Sequence, residues 1–149
     1  MKHLEFTLTK QDIYNQVAMT TSYAGGKSED PNAYDRMFTV DEDKEQLERF
    51  WQECIAESCQ ALMRVLEEAN NEDEQFKLKL QVSNSFDDSL KPSMALSIRS
   101  YFINSIVGKW FAFTNKADVE SYIKTAAIFL DDIKRKSFYK RMPTRPLYK

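Results

Sequence analysis

The strongest constraint on how this chain can fold is a set of mostly apolar residues recurring at three- and four-residue steps: Leu47, Phe50, Trp51, Cys54, Ile55, Ser58, Leu62, Val65, Leu66 and Ala69. That spacing returns a side chain to the same face once per turn, so it predicts an amphipathic helix over 41–70. At about 1.5 Å per residue such a helix would run roughly 45 Å. Thr39 and Glu42 have capping-box spacing, and Asp41, Glu42, Asp43 and Glu45 crowd the first turns, where the helix dipole favours negative charge. The same period returns in Leu90, Met94, Ile98, Tyr101, Phe102, Ile106, Trp110 and Phe113, with Pro92 well placed at the helix start. It returns again in Val119, Tyr122, Ile123, Ala126, Ala127, Phe129, Leu130 and Ile133, capped by Asn115. A weaker face, Ile13, Val17 and Ala24, predicts a first helix that starts after Thr9 and ends at Gly25-Gly26.

Two stretches follow a different rule. Leu4, Phe6 and Leu8 alternate with polar residues, and so do Phe76, Leu78, Leu80 and Val82, with lysines between. A two-residue period predicts one-sided strands, and two short strands predict a mutual pair leaning on helices. The expected fold is therefore mainly α: a helical bundle of about four helices with a small two-stranded β ribbon. Its expected core holds Leu47, Phe50, Trp51, Cys54, Ile55, Leu62, Ile98, Phe102, Trp110, Ile123 and Leu130. One helical domain over 1–139 would be followed by a basic, extended tail over 140–149, where Pro143 and Pro146 break any helix.

Chemistry is sparse. The chain of 149 residues has one histidine, His3, too few for a usual zinc site or a Ser-His-Asp arrangement. Cys54 and Cys59 lie five apart, about 140° around a helix, so they read as separate reduced thiols. Asp87-Asp88 and Asp131-Asp132 are adjacent pairs whose carboxylates diverge. Gly25-Gly26-Lys27-Ser28 matches the end of a phosphate-binding loop, but Thr21 stands where that loop needs glycine, and the stretch follows a helix rather than a strand. No apolar run approaches the roughly 18 residues of a membrane span, and Met1 to Lys10 lacks the features of a secretory signal. The expectation is a cytoplasmic protein that is not an enzyme, with no catalytic residue, metal, cofactor, membrane or small-molecule substrate.

Charge is where the sequence is unusual. The net charge of −2 conceals two opposed halves: residues 1–75 carry −10 and residues 76–149 carry +8. The last sixteen residues hold seven cations, Lys134, Arg135, Lys136, Lys140, Arg141, Arg145 and Lys149, and no acid. Cations near a helix C-terminus complement its dipole, which accounts for Lys134 to Lys136 but not for the rest. The remainder would be drawn to an acidic protein surface, with Asp41, Glu42, Asp43, Glu45 and Glu48 as the candidate acidic face, or to nucleic-acid phosphates.

The second half of the chain resembles small proteins encoded in the structural modules of Bacteroidetes prophages. The resemblance runs through Phe76-Lys-Leu-Lys-Leu, Ser85-Phe-Asp-Asp-Ser-Leu, Lys109-Trp-Phe and Lys140-Arg-Met-Pro-Thr-Arg-Pro, and spans about half of the chain. It implies a virion assembly role at the neck, similar to helical head–tail connector subunits that form rings. The implied partners are copies of itself and other virion proteins, with DNA as the alternative, and the implied location is the virion.

Overall fold

The computed structural model describes residues 1–27 and 43–141. Strand β1 (Lys2–Thr9) runs straight into helix α1 (Lys10–Lys27). Helix α2 (Lys44–Ala61) leads to strands β2 (Leu66–Asn71) and β3 (Gln75–Val82). A 3-10 turn (Asp88–Leu90) opens the long helix α3 (Lys91–Thr114), and α4 (Val119–Lys136) closes the described chain.

The protein is mainly helical, with four α-helices among the described residues, and it carries a three-stranded antiparallel sheet in the order β1-β3-β2. Alternation decides which face of the sheet is dry. Leu4, Phe6 and Leu8 of β1 and Phe76, Leu78, Leu80 and Val82 of β3 are all buried. The opposite face is a cross-strand charge ladder, with Lys79 opposite Glu5 on one side and Glu68 on the other. Lys79 approaches Glu68 at 3.4 Å and Lys77 approaches Glu72 at 3.5 Å.

Helix α3 is the organising element. It packs against α1, α2, α4 and β1, so every helix meets it. Phe102 of α3 sits at the centre, 5.1 Å from the Trp51 ring of α2 and 5.8 Å from Phe76 of β3. Helix α4 packs mainly on α3, with a smaller contact to α2. Where α3 and α4 meet, the site of a Cβ on Gly108 would lie 2.7 Å from Ile123 Cδ1, so the glycine permits the close approach.

Four expectations need correction. Asn115 does not cap α4: Asp118 stands at that N-cap, and Asn115 instead closes α3, its N–H donating to Phe111 O. The helix expected over 41–70 is shorter: α2 ends at Ala61, and Leu66–Asn71 forms a third strand rather than two more helical turns. Thus the ribbon is a sheet, because β3 offers hydrogen bonds on both edges and β2 takes the second. Tertiary pairing overrides the local helical period there. Gly25 and Gly26 do not stop α1, which continues to Lys27, and no described glycine has a positive φ. Ile123 is 42% exposed, not core. Of the other expected core residues, Leu47, Phe50, Trp51, Cys54, Leu62, Ile98 and Phe102 are buried, while Ile55, Trp110 and Leu130 are half-buried against them.

Candidate functional site

The two ends of the sheet differ in charge balance: Glu45, Glu48 and Glu74 stand with Lys10 and Lys44 at one, and Lys2, Lys140 and Arg141 with Asp87 and Asp88 at the other. At one end Thr9 pairs with Gln75, which places the start of α1 beside Glu74. The Lys10 backbone N–H donates to Glu74 O at 2.9 Å and fixes that corner. There α1, α2 and the start of β3 enclose a cleft of about 450 Å³ lined by Lys10, Tyr14, Lys44, Glu45, Glu48 and Glu74, among others.

Inside the cleft part of the charge is spent. Lys10 reaches Glu48 at 2.7 Å and lies over the Trp51 ring, and the Tyr14 hydroxyl donates to Glu48 at 3.1 Å. Burial alone would raise the Glu48 pKa, but the hydrogen bonds from Lys10 and Tyr14 outweigh it and hold the carboxyl below its ordinary range. Tyr14 is pushed well up, first by burial and then by Glu48. Glu45, Asp73 and Glu74, by contrast, form no ion pair among the described residues. Of the expected acidic face, Glu45 is exposed, Asp43 is half-buried, Glu48 is committed to Lys10, and Asp41 and Glu42 lie outside the described residues.

At the other end of the sheet Lys2 pairs with Val82 and bonds Asp88 at 2.8 Å. The chain beyond α4 returns to this corner. Lys140 bridges Phe86, and the Arg141 N–H donates to Ser85 O at 2.6 Å. The chain thus stays attached to the body through Arg141, one residue beyond the expected start of a free tail. The expected cations divide. Lys136 is consumed internally by Asp132 at 2.9 Å and by Ser93, and Arg135 meets Asp131 at 3.1 Å. Lys134, Lys140 and Arg141 are exposed and form no close ion pair among the described residues, and Arg141 stands near enough to Asp87 to help lower its pKa, after the bonds from Ser89. Arg145 and Lys149 lie outside them. Between the two ends stand the eight residues of β3, about 25 Å of extended chain.

A second, smaller groove of about 260 Å³ lies between α2 and α4, over α3. Lys109 binds Glu57 at 2.8 Å and Glu53 at 3.3 Å, and the Tyr101 hydroxyl donates to the same Glu57 at 2.8 Å. Sequence patterns do not reveal this network, because its members come from two helices and their spacing along each looks like ordinary surface charge. Beneath it the Cys54 thiol is pushed up to about 12 by burial, partly offset by a bond with Ser105, so it stays protonated at neutral pH. The network ties helices together. Among the described residues no group of three or more His, Cys, Asp or Glu side chains is placed to hold a metal ion, and no helix is long and apolar enough to cross a membrane.

The paired carboxylates make stability pH-dependent. Arg99 holds Asp12 at 2.8 Å and lowers its pKa from 3.8. Asp132, which burial would raise, is lowered by bonds from Lys136 and Ser97. Glu48 is lowered likewise from 4.5. A carboxylate whose folded pKa is depressed stabilises the fold above its ordinary pKa and ceases to do so as pH falls through the folded value. Melting temperature is therefore expected to drop steeply below about pH 4. The triple variant Asp12→Asn, Glu48→Gln, Asp132→Asn should show a flatter acid limb in thermal melts, and an equally steep limb would contradict these assignments.

No family model, curated protein or solved structure matches the chain.

Proposed function

We propose that this chain is a non-enzymatic assembly subunit of a phage or prophage particle, of the head–tail connector kind, whose copies join through complementary charge. The observation that supports it most is an uneven distribution of exposed charge: Glu45, Asp73 and Glu74, with Lys44 among them, at one end of the sheet, and Lys140 and Arg141, with Asp87 near Arg141, at the other, where Lys134 stands in the last turn of α4 before them. About 25 Å of β3 keeps them from neutralising each other within one copy, more than twice the screening length at physiological salt. In two copies the cationic end of one can meet the acidic end of the next. Such heterologous contacts build rings when the rotation closes. The likeness of residues 76–146 to prophage structural-module proteins supports a virion as the setting. A nucleic-acid partner would use the cations but leave the acidic end without a role.

Surface charge acts through salt-screened fields. The full chain at micromolar concentration is expected to form rings or larger oligomers at low salt and to dissociate at high salt, read by mass photometry. A monomer at every salt concentration would overturn the proposal.

A further inference from the structure

Helix α4 is held by one side only. Ala126 and Ile133 are its buried residues, while Val119, Tyr122 and Phe129 are half-buried beside them. The opposite side presents Glu120, Lys124, Ile128, Asp131 and Arg135, all exposed. Helical geometry puts these five in one stripe along the axis. Ile128 is 65% exposed near the middle of its length.

We propose that this stripe binds the same stripe of a second copy, antiparallel, about a two-fold axis between Ala127 and Ile128. The charges select this arrangement. Rotation about that axis brings Lys124 level with the partner's Asp131, and Glu120 level with the partner's Arg135. Symmetry repeats both pairs, giving four opposite-charge contacts. A parallel pairing would set Lys124 against the partner's Lys124 and Asp131 against the partner's Asp131. Sliding the antiparallel register by one turn in either direction would oppose Lys124 to the partner's Arg135, or Glu120 to the partner's Asp131. Like charges so placed are repulsive. Each charge is already oriented by a neighbour one turn away, Lys124 by Glu120 at 2.8 Å and Arg135 by Asp131 at 3.1 Å.

Exposed ion pairs contribute little by themselves, so the apolar residues must supply the attraction. Ile128 supplies the apolar contact nearest the axis. Phe138 and Tyr139, both exposed, follow directly after α4 and extend the apolar surface beyond the end of the helix. Three of the ten large apolar side chains exposed among the described residues, Ile128, Phe138 and Tyr139, therefore lie on the stripe or in the turn that follows it. This contact is isologous and closes after two copies. It is distinct from the head-to-tail contact proposed above and does not depend on it.

Sedimentation equilibrium of the full chain at high salt, where the head-to-tail contact is screened, tests it. Wild type is expected to show a monomer–dimer equilibrium. Ile128→Asp should weaken the dimer at least about tenfold, with an unchanged melting temperature because Ile128 faces outward. Lys124→Glu should also weaken it, and adding Asp131→Lys in the same chain should restore it. A wild type that is monomeric throughout, an Ile128→Asp variant that dimerises equally well, or a double variant that stays as weak as Lys124→Glu would overturn the inference.

Discussion

Phe102→Ala is expected to destabilise the fold by about 4 kcal/mol, the middle of the range for truncating a buried aromatic side chain. Phe102 is fully buried, and its ring meets two other elements, α2 and β3. Its ring meets Trp51 of α2 edge-on at 61°, tilts against Phe76 of β3 at 34°, and lies beside Tyr101 at 89°. Deleting it would open a cavity where α2, α3 and the sheet converge, and the surrounding rings cannot collapse into it without breaking that geometry. Chemical denaturation measures the loss. A change below about 1 kcal/mol would mean that the centre of the core lies elsewhere.

The second large effect concerns assembly. Reversing the three unpaired cations, Lys134→Glu, Lys140→Glu and Arg141→Glu, is expected to cut association between copies at least about a hundredfold at low salt. That figure corresponds to roughly 3 kcal/mol, about 1 kcal/mol for each reversed charge. Because all three side chains are exposed, melting temperature should shift little. A variant that associates like wild type would show that these cations do not form the contact.

How much of the fold is legible in the sequence depends on whether a residue's fate is decided locally. Phe76 to Val82 reads as a strand because a two-residue period puts its apolar side chains on one face of an extended chain and scatters them around a helix. Trp51 and Cys54 read as core because the helical period around them is strong. Leu66–Asn71 is opaque. Its burial does not alternate, it continues the period of α2, and only pairing with β3 makes it a strand. Ile123 fits the helical period but stands beside Gly108, at the margin of the surface that α4 lays on α3. The charged ends show the same division. Composition counts cations and acids, yet Lys136 is consumed by Asp132 and Ser93, and Glu48 by Lys10 and Tyr14. That Glu45 and Glu74 stand at one end of the sheet and Lys140 and Arg141 at the other follows from β1, β3 and the docking of Arg141, which no local pattern announces.

The central claim is that opposite ends of different copies meet, and a mixing experiment addresses it most directly. One variant carries the three cation reversals above. A second carries Glu45→Lys, Asp73→Lys and Glu74→Lys at the other end. Each alone presents like charge at both ends and is expected to remain unassembled at low salt. Mixed in equal amounts, the acidic end made in the first can meet the basic end made in the second, while their unaltered ends also match. Mass photometry should then find the wild-type oligomers restored in the mixture. Oligomers formed by either variant alone, or none in the mixture, would contradict the account.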